Sequence, residues 1–155
     1  MGVASRRDTS TATIFTIGFT KTSAEWFFTR LQRAGVKKVV DVRLNNTSQL
    51  AGFAKKDDLR YFLRVICRID YEHRVELAPT PELRNAYKKD GGPWSVYEAG
   101  FLELMSRRQV DKTMSRDDLD GACLLCSEPR PEQCHRRLVA EYLKARWGNL
   151  EIVHL

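Results

Sequence analysis

The stretch TATIFTIGFTKTSAEWFFTRLQRAGVKKVVDVR, residues 11–43, decides the fold that this sequence predicts. Its beginning is rich in β-branched and aromatic residues, which favours a buried strand that ends at Gly18. A helix is predicted next, beginning at Thr22, which has capping-box spacing to Glu25, and ending at Gly35. VKKVVDVR predicts a second strand. Strand, helix and strand over about 30 residues form a βαβ unit, so the two strands are expected to be parallel with a right-handed crossover.

The rest of the chain continues the alternation of strands and helices. Three further segments have strand character: IDYEHRVEL, DGACLLCSE and LEIVHL. Four have helical periodicity: KKDDLRYFLRVI, TPELRNAYKK, WSVYEAGFLELM, whose aromatic residues are interpreted as core, and PEQCHRRLVAEYLKARWG. This order predicts a single three-layer α/β domain over residues 13–155, with a parallel or mostly parallel central sheet flanked by helices, after a loose tail of residues 1–12.

Composition restricts the classes of partner. The 26 Lys and Arg residues exceed the 20 Asp and Glu residues, giving a net charge of +6, which favours an anionic small molecule or nucleic acid as partner. No apolar run approaches the roughly 18 residues of a membrane span, and the opening MGVASRRDTSTA has no apolar signal segment. The sequence therefore predicts a cytoplasmic protein without a membrane partner, and it does not indicate an oligomeric state.

Polar residues follow three of the predicted strands. Thr20 lies after the first strand, Asp41 and Arg43 end the second, and Cys126 ends the fourth. Ligands of open α/β sheets bind beyond the carboxyl ends of the strands, so these residues are expected to converge in one crevice. The guanidinium of Arg43 is suited to a phosphate or carboxylate, with Asp41 as its anchor and Thr20 as a further binding residue.

The segment from Cys126 to Arg136 has the composition of a reactive site. Cys134 and His135 are predicted in the first turns of a helix, facing the end of the Cys126 strand. A thiol near a helix N-terminus and close to arginines is expected to have a depressed pKa and to react as a thiolate. His135 is then a candidate proton shuttle and Glu128 its orienting or general-base partner, while Arg136 is a second anion-binding residue.

Other interpretations of the cysteines are weighed against this one. Cys123 and Cys126 match a Cys-x-x-Cys redox motif, but in a strand their side chains point to opposite faces, so Cys123 is predicted to be a core residue, as is Cys67. Cys126, Cys134 and His135 are zinc ligands by type. Adjacent residues of a regular helix diverge by roughly 100°, and a second Cys-x-x-Cys is absent, so a metal, with His73 or His154 as a distant ligand, is not favoured. No other cofactor is predicted. A single glycine in TIGFTKT also excludes a glycine-rich phosphate loop.

Several motifs together resemble a known family. TIGFT, VVDVRLNNTSQLAGFAKKDDL, WSVYEAGFLELM, LLCSEPRPEQCHRRLVAEYL and the closing VHL resemble, in the same order, the bacterial and archaeal family catalogued as domain of unknown function 488. The resemblance runs from about residue 13 to 155 and implies a compact α/β domain. It implies no particular reaction. The signature residues of the family fall here on Asp41, Arg43, Cys126, Glu128, Cys134, His135 and Arg136.

Three hypotheses of function follow. The first is a small enzyme for an anionic, nucleotide or nucleic-acid-derived substrate, with Cys126 or Cys134 as the thiolate and Arg43 and Arg136 as the anion clamp. The second is a redox sensor in which Cys126 and Cys134 form a reversible disulfide. The third is a nucleic-acid-binding module without catalysis, based on the charge of +6.

Overall fold

A five-stranded parallel sheet forms the centre of the domain in the computed structural model, which describes residues 11–47 and 51–155. The strands are β1 (Ala12–Gly18), β2 (Lys38–Asp41), β3 (Asp70–His73), β4 (Ala122–Cys126) and β5 (Leu150–His154), in the order β3-β2-β4-β1-β5. The α-helices of the described residues are α1 (Ala24–Ala34), α2 (Lys56–Phe62), α3 (Pro81–Lys88), α4 (Trp94–Arg108), α5 (Val110–Thr113), α6 (Arg116–Leu119) and α7 (His135–Trp147).

The predicted three-layer α/β class is confirmed, with every strand pair parallel. Most of the predicted tail lies outside the described residues, and Ala12 at its end already belongs to β1. In the sheet, Gly18 pairs with Cys126, and Asp41 pairs with Leu125. The carboxyl ends of β1, β4 and β2 therefore lie side by side at one edge.

The two faces of the sheet carry separate hydrophobic clusters. Leu124 and Cys126 of β4 pack on one face with residues of α4 and α7. Cys123 and Leu125 pack on the opposite face with residues of α1 and α2. The two cysteines of Cys-x-x-Cys therefore point apart, as predicted. Among the helices of the described ranges, none is both long and apolar enough to cross a membrane.

Two helices begin later than predicted. The cap of α1 is Ser23, whose Oγ accepts a hydrogen bond from the Trp26 amide at 3.1 Å. The hydroxyl of Thr22 instead donates to the Phe19 carbonyl at 2.6 Å. The cap of α7 is Cys134, so the segment from Pro131, predicted as helix, forms a turn before it.

Gly18 allows the loop after β4 to pass close to β1. A Cβ atom at this position would lie 1.7 Å from the carbonyl oxygen of Glu128 and 3.2 Å from the Cα of Pro129. No side chain fits there. The adjacent contact, from the Thr20 amide to the Ser127 carbonyl at 3.1 Å, joins the ends of β1 and β4.

Candidate active site

A cluster of two cysteines and a histidine lies at the carboxyl end of β4. Cys126 is the last residue of β4, Cys134 is the cap of α7, and His135 is the first residue of that helix. All three are buried, with exposed fractions of 5%, 2% and 8%. Their ligand-type atoms lie within 4.8 Å of one another, and Cys126 Sγ lies 3.6 Å from His135 Nδ1. The register of β4 and the start of α7 thus bring three reactive groups together.

The imidazole of His135 is held in one orientation. Its Nε2 donates a hydrogen bond to the carbonyl oxygen of Val42, the residue after β2, at 2.7 Å. A carbonyl only accepts, so Nε2 carries a proton and Nδ1 faces Cys126. The ring of Phe101 packs against the imidazole with centroids 5.4 Å apart. The histidine is therefore oriented by a backbone carbonyl from a different strand.

The electrostatics of the cluster favour a thiolate at Cys126. A hydrogen bond from the Cys134 thiol and the positive charge of His135 lower the pKa of Cys126 well below its ordinary value, against the effect of burial. Burial and the neighbouring Cys126 raise the pKa of Cys134. Burial alone would lower the pKa of His135, but the charge and hydrogen bond of Cys126 and the hydrogen bond to Val42 together outweigh it and raise that pKa. These directions favour a thiolate at Cys126 and an imidazolium at His135, with Cys134 as the neutral thiol beside them.

Arg43 lies next to this cluster in a buried ion pair. Its Nε and Nη2 donate to the two carboxylate oxygens of Asp41 at 2.9 and 2.8 Å, and Nη2 also donates to the Ala54 carbonyl at 2.7 Å. The Tyr71 hydroxyl donates to the same carboxylate at 2.5 Å. Nη1 of Arg43 has no hydrogen-bond partner among the described residues. The guanidinium is thus fixed in place with one donor group left over.

A cavity of about 190 Å³ opens above the cluster and is lined by Cys126, Cys134, His135 and Arg43. Its other charged lining residues are Arg84, Lys88 and Glu128, and the last two form an ion pair. Positive groups therefore outnumber negative ones around the cavity. An anion is the ligand that this charge distribution favours. Further lining residues are Leu44, Asn45, Pro79, Tyr87, Trp94, Tyr97, Ser127 and Gln133.

Some of the predicted site residues lie elsewhere. Asp41 is fully buried behind Arg43. Thr20 contacts the loop after β4 through its backbone, and its side chain does not line the cavity. Arg136 is 2% exposed, does not line the cavity, and donates from Nη1 to the Glu128 carbonyl at 2.6 Å. In these contacts Arg136 supports the loop that carries the site.

Glu128 does not contact His135 in the structure. Its carboxylate pairs with Lys88, while the two nitrogens of the imidazole face Val42 and Cys126. The orienting contact that the sequence assigned to Glu128 is made by the Val42 carbonyl. The carboxylate remains at the rim of the cavity, where it lowers the net positive charge.

The observed start of α7 removes the geometric objection to a metal at Cys134 and His135. Cys134 has extended dihedral angles, φ −135° and ψ 138°, so it and His135 do not diverge as residues of a regular helix do. Cys126, Cys134 and His135 could hold a thiophilic metal such as zinc. Tetrahedral zinc sets its ligand atoms about 3.3 to 3.8 Å apart, given bonds of about 2.0 to 2.3 Å. The separation of 3.6 Å between Cys126 and His135 fits that range.

Aromatic residues of the cavity wall were missed as site residues. Trp94 and Tyr97 of α4 were assigned to the core, and both also line the cavity. Their rings stack with centroids 5.1 Å apart, and Tyr87 of α3 lies 5.5 Å from Trp94. The spacing of Trp94, Tyr97 and Phe101 places them on one helix face directed at His135, and this pattern was the available signal. No pattern indicated Arg84.

The comparisons with known proteins give one match. The family model described as Domain of unknown function DUF488 matches residues 23–143. This span contains Asp41, Arg43 and the whole segment from Cys126 to Arg136. Neither a curated protein nor a solved structure matches the chain.

Proposed function

This chain belongs to the DUF488 family, and from the geometry of its own site we propose that it is a thiol-dependent enzyme acting on a small anionic substrate. The observation that carries the proposal is the thiolate-stabilising environment of Cys126 at the floor of a basic cavity. Cys126 is the nucleophile, because it receives the hydrogen bond of Cys134 and the charge of His135. Cys134 keeps its proton, because its pKa is raised.

His135 and Arg43 take the remaining roles in the reaction. When the Cys126 thiolate attacks an electrophilic atom of the substrate, the imidazolium of His135 donates its Nδ1 proton to the leaving group. The substrate's negative charge is bound by Nη1 of Arg43, which has no hydrogen-bond partner among the residues that the structure describes, and the pair with Asp41 holds the guanidinium rigidly. Arg84, exposed at the rim, adds long-range attraction for the anion.

The size of the cavity restricts the substrate. Sites for drug-sized molecules are about 300 to 1,000 Å³, and this cavity is about 190 Å³. A small anion, or the anionic end of a larger molecule, fits it. Tyr87, Trp94 and Tyr97 provide an apolar wall against which a nonpolar part of the substrate can pack.

The rate of alkylation of each cysteine in the reduced native protein tests the proposal. Cys126 is expected to react fast at pH values well below about 8.5, the ordinary thiol pKa. Cys67 and Cys123 serve as internal controls, because burial raises the pKa of both. A Glu-specific protease that cuts after Glu132 separates Cys126 from Cys134 for peptide mass spectrometry.

Two variants sharpen this experiment. His135→Gln removes the positive charge and Cys134→Ala removes the hydrogen-bond donor that stabilise the thiolate, so both should shift the pH dependence of Cys126 labelling upward. Cys67→Ser should leave it unchanged. Labelling of Cys126 that is no faster than that of Cys67 at neutral pH would reject the proposal. If the native mass showed a bound metal, and if its removal by a chelator sped up the labelling of Cys126, the cluster would be a metal site and not the site of a thiol-dependent enzyme.

A further inference from the structure

We propose that the substrate is a small anion with a sulfur–sulfur bond, of the thiosulfonate type, and that Cys134 resolves the intermediate formed on Cys126. The inference rests on the proposed function and adds the substrate class and the role of the second cysteine. Two observations carry it: the position of Cys134 beside Cys126, and the cationic groups around the cavity above them.

The second thiol favours a substrate that reacts through sulfur. Cys134 Sγ lies within 4.8 Å of Cys126 Sγ, so a small closure brings the two sulfur atoms to bonding distance. When Cys126 carries a sulfur adduct, attack by Cys134 forms a disulfide and releases the adduct. An acyl or phosphoryl adduct would only move from one cysteine to the other. A neighbouring thiol therefore completes the reaction of a sulfur-linked adduct, which leaves as the disulfide forms, and does not complete that of an acyl or phosphoryl adduct.

The position of Cys134 permits this closure. It is the cap residue of α7, with extended backbone, and its side chain makes no capping hydrogen bond to the helix. The backbone is fixed by bonds from its amide to Pro131 and from the Arg137 amide to its carbonyl. Because the thiol makes no capping bond, its movement toward Cys126 breaks no hydrogen bond of the helix cap.

The cationic groups favour an anionic leaving group. Nη1 of Arg43 is buried and has no hydrogen-bond partner in the described part of the chain. Lys88 and Arg84 line the same cavity. A sulfonate or sulfite group presents three oxygen acceptors, which suits the guanidinium donor and the two further cations. The cavity of about 190 Å³ admits an ion of this size above Cys126.

The reaction balances in three steps. The Cys126 thiolate attacks the terminal sulfur of thiosulfate, the sulfur–sulfur bond breaks, and sulfite leaves with the electron pair, so that Cys126 carries a persulfide anion. The Cys134 thiol then attacks Cys126 Sγ, its proton passes to the departing sulfur, and hydrosulfide leaves. A Cys126–Cys134 disulfide remains. An external dithiol reduces this disulfide and is itself oxidised to a disulfide, which restores both thiols.

Thiosulfate added to the reduced, full-length protein under anaerobic conditions tests the inference. The wild-type chain is expected to lose the mass of two hydrogen atoms and to release one sulfite and one sulfide per molecule. Cys134→Ser should instead gain the mass of one sulfur atom on Cys126 and release sulfite without sulfide. Cys126→Ser should do neither, and Cys67→Ser should behave as the wild type. Circular dichroism shows whether each variant is folded.

The outcomes separate this inference from the proposed function. If Cys126 is alkylated fast at low pH but Cys134→Ser gains no sulfur from thiosulfate, the thiol enzyme stands and the substrate class is wrong. If the wild-type chain keeps the persulfide and releases no sulfide, Cys134 is not the resolving residue. If Cys126 is also slow to alkylate, both proposals fail together. If Arg43→Gln transferred sulfur from thiosulfate at the same rate as the wild type, this result would contradict the role of Arg43 in anion binding.

Discussion

At the scale of single residues, His135 shows how a side chain of the site acquires its charge. Its residue type and its place near Cys134 are visible in the sequence, but its two hydrogen-bond partners are not. Val42 is 93 residues away in the chain and contributes a backbone carbonyl, which has no sequence signature. The pKa of His135 is raised because the charge and hydrogen bond of Cys126, together with the hydrogen bond to Val42, outweigh the effect of burial. Sequence reasoning found the residues of the cluster but assigned one wrong contact, that of Glu128.

Replacing Cys126 is therefore expected to discharge His135. In Cys126→Ser the thiolate is lost and burial remains, so the pKa of His135 should fall from above its ordinary value of about 6.5 to below it. In the wild type, the raised pKa adds stability below about 6.5, and this is lost as pH rises through the folded value. NMR titration of the His135 ring protons measures the change. An unchanged titration would show that Cys126 is not ionised; Cys67→Ser is the control.

Gly18 offers a second test at this scale. Gly18→Ala places a methyl group 1.7 Å from the Glu128 carbonyl oxygen, so the loop after β4 must move. We expect a loss of unfolding free energy of about 1 to 3 kcal/mol, the usual cost of overpacking, and slower alkylation of Cys126. Gly52→Ala is the matched control, because no atom of the described residues lies within 4 Å of a Cβ there. Equal stability of the two variants in urea unfolding would contradict the close approach.

At the scale of elements, both kinds of boundary were partly misplaced: the second strand was predicted to reach Arg43 but β2 ends at Asp41, whereas α4 begins at Trp94 as predicted. Asp41 is the last residue of β2 and Arg43 lies just beyond it, so both residues are at this sheet edge although the predicted strand was too long. The start of α7 was placed too early because the segment from Pro131 is polar and lacks a strong cap signal. Cys134 makes no side-chain capping bond, so the residue at the cap position gave no signal in the sequence for the start of the helix. The misplaced helix start was one of the reasons why a metal was not favoured.

The ion pair at the end of β2 is expected to be essential for stability. Asp41→Asn leaves the Arg43 guanidinium buried without its counter-ion, which typically costs about 3 to 5 kcal/mol. The surface pair of Arg137 and Glu141 provides the control, because Glu141→Gln should cost no more than about 0.5 kcal/mol. Urea unfolding at neutral pH compares the two variants. Similar losses would mean that the buried position of Arg43 is not maintained by Asp41.

At the scale of the whole molecule, the parallel sheet and its helical layers followed from the sequence, but the strand order did not. A βαβ unit requires parallel strands and a right-handed crossover, which fixed the relation of β1 to β2. In the structure β4 lies between them and β5 pairs with the outer edge of β1. Periodicity reports which face of a strand is buried and says nothing about its neighbours. The insertion of β4 is what brings Cys126 between Gly18 and the end of β2.

The same insertion predicts that the two faces of the sheet unfold together. Cys123 is fully buried in β4 and belongs to the cluster with Leu31, while Leu138 packs on the opposite face. Leu31→Ala and Leu138→Ala should each cost about 2 to 5 kcal/mol. Both hydrophobic clusters contain residues of β4. The rate of Cys123 alkylation in dilute urea should therefore rise in both variants, and the rise should follow the loss in the free energy of global unfolding. If Leu138→Ala destabilised the protein but left Cys123 protected, the face carrying α7 and the candidate site would be unfolding as a separate unit. Labelling of Cys126 in the same samples then distinguishes local opening of the site from global unfolding, because only the native site makes Cys126 react faster than an ordinary thiol.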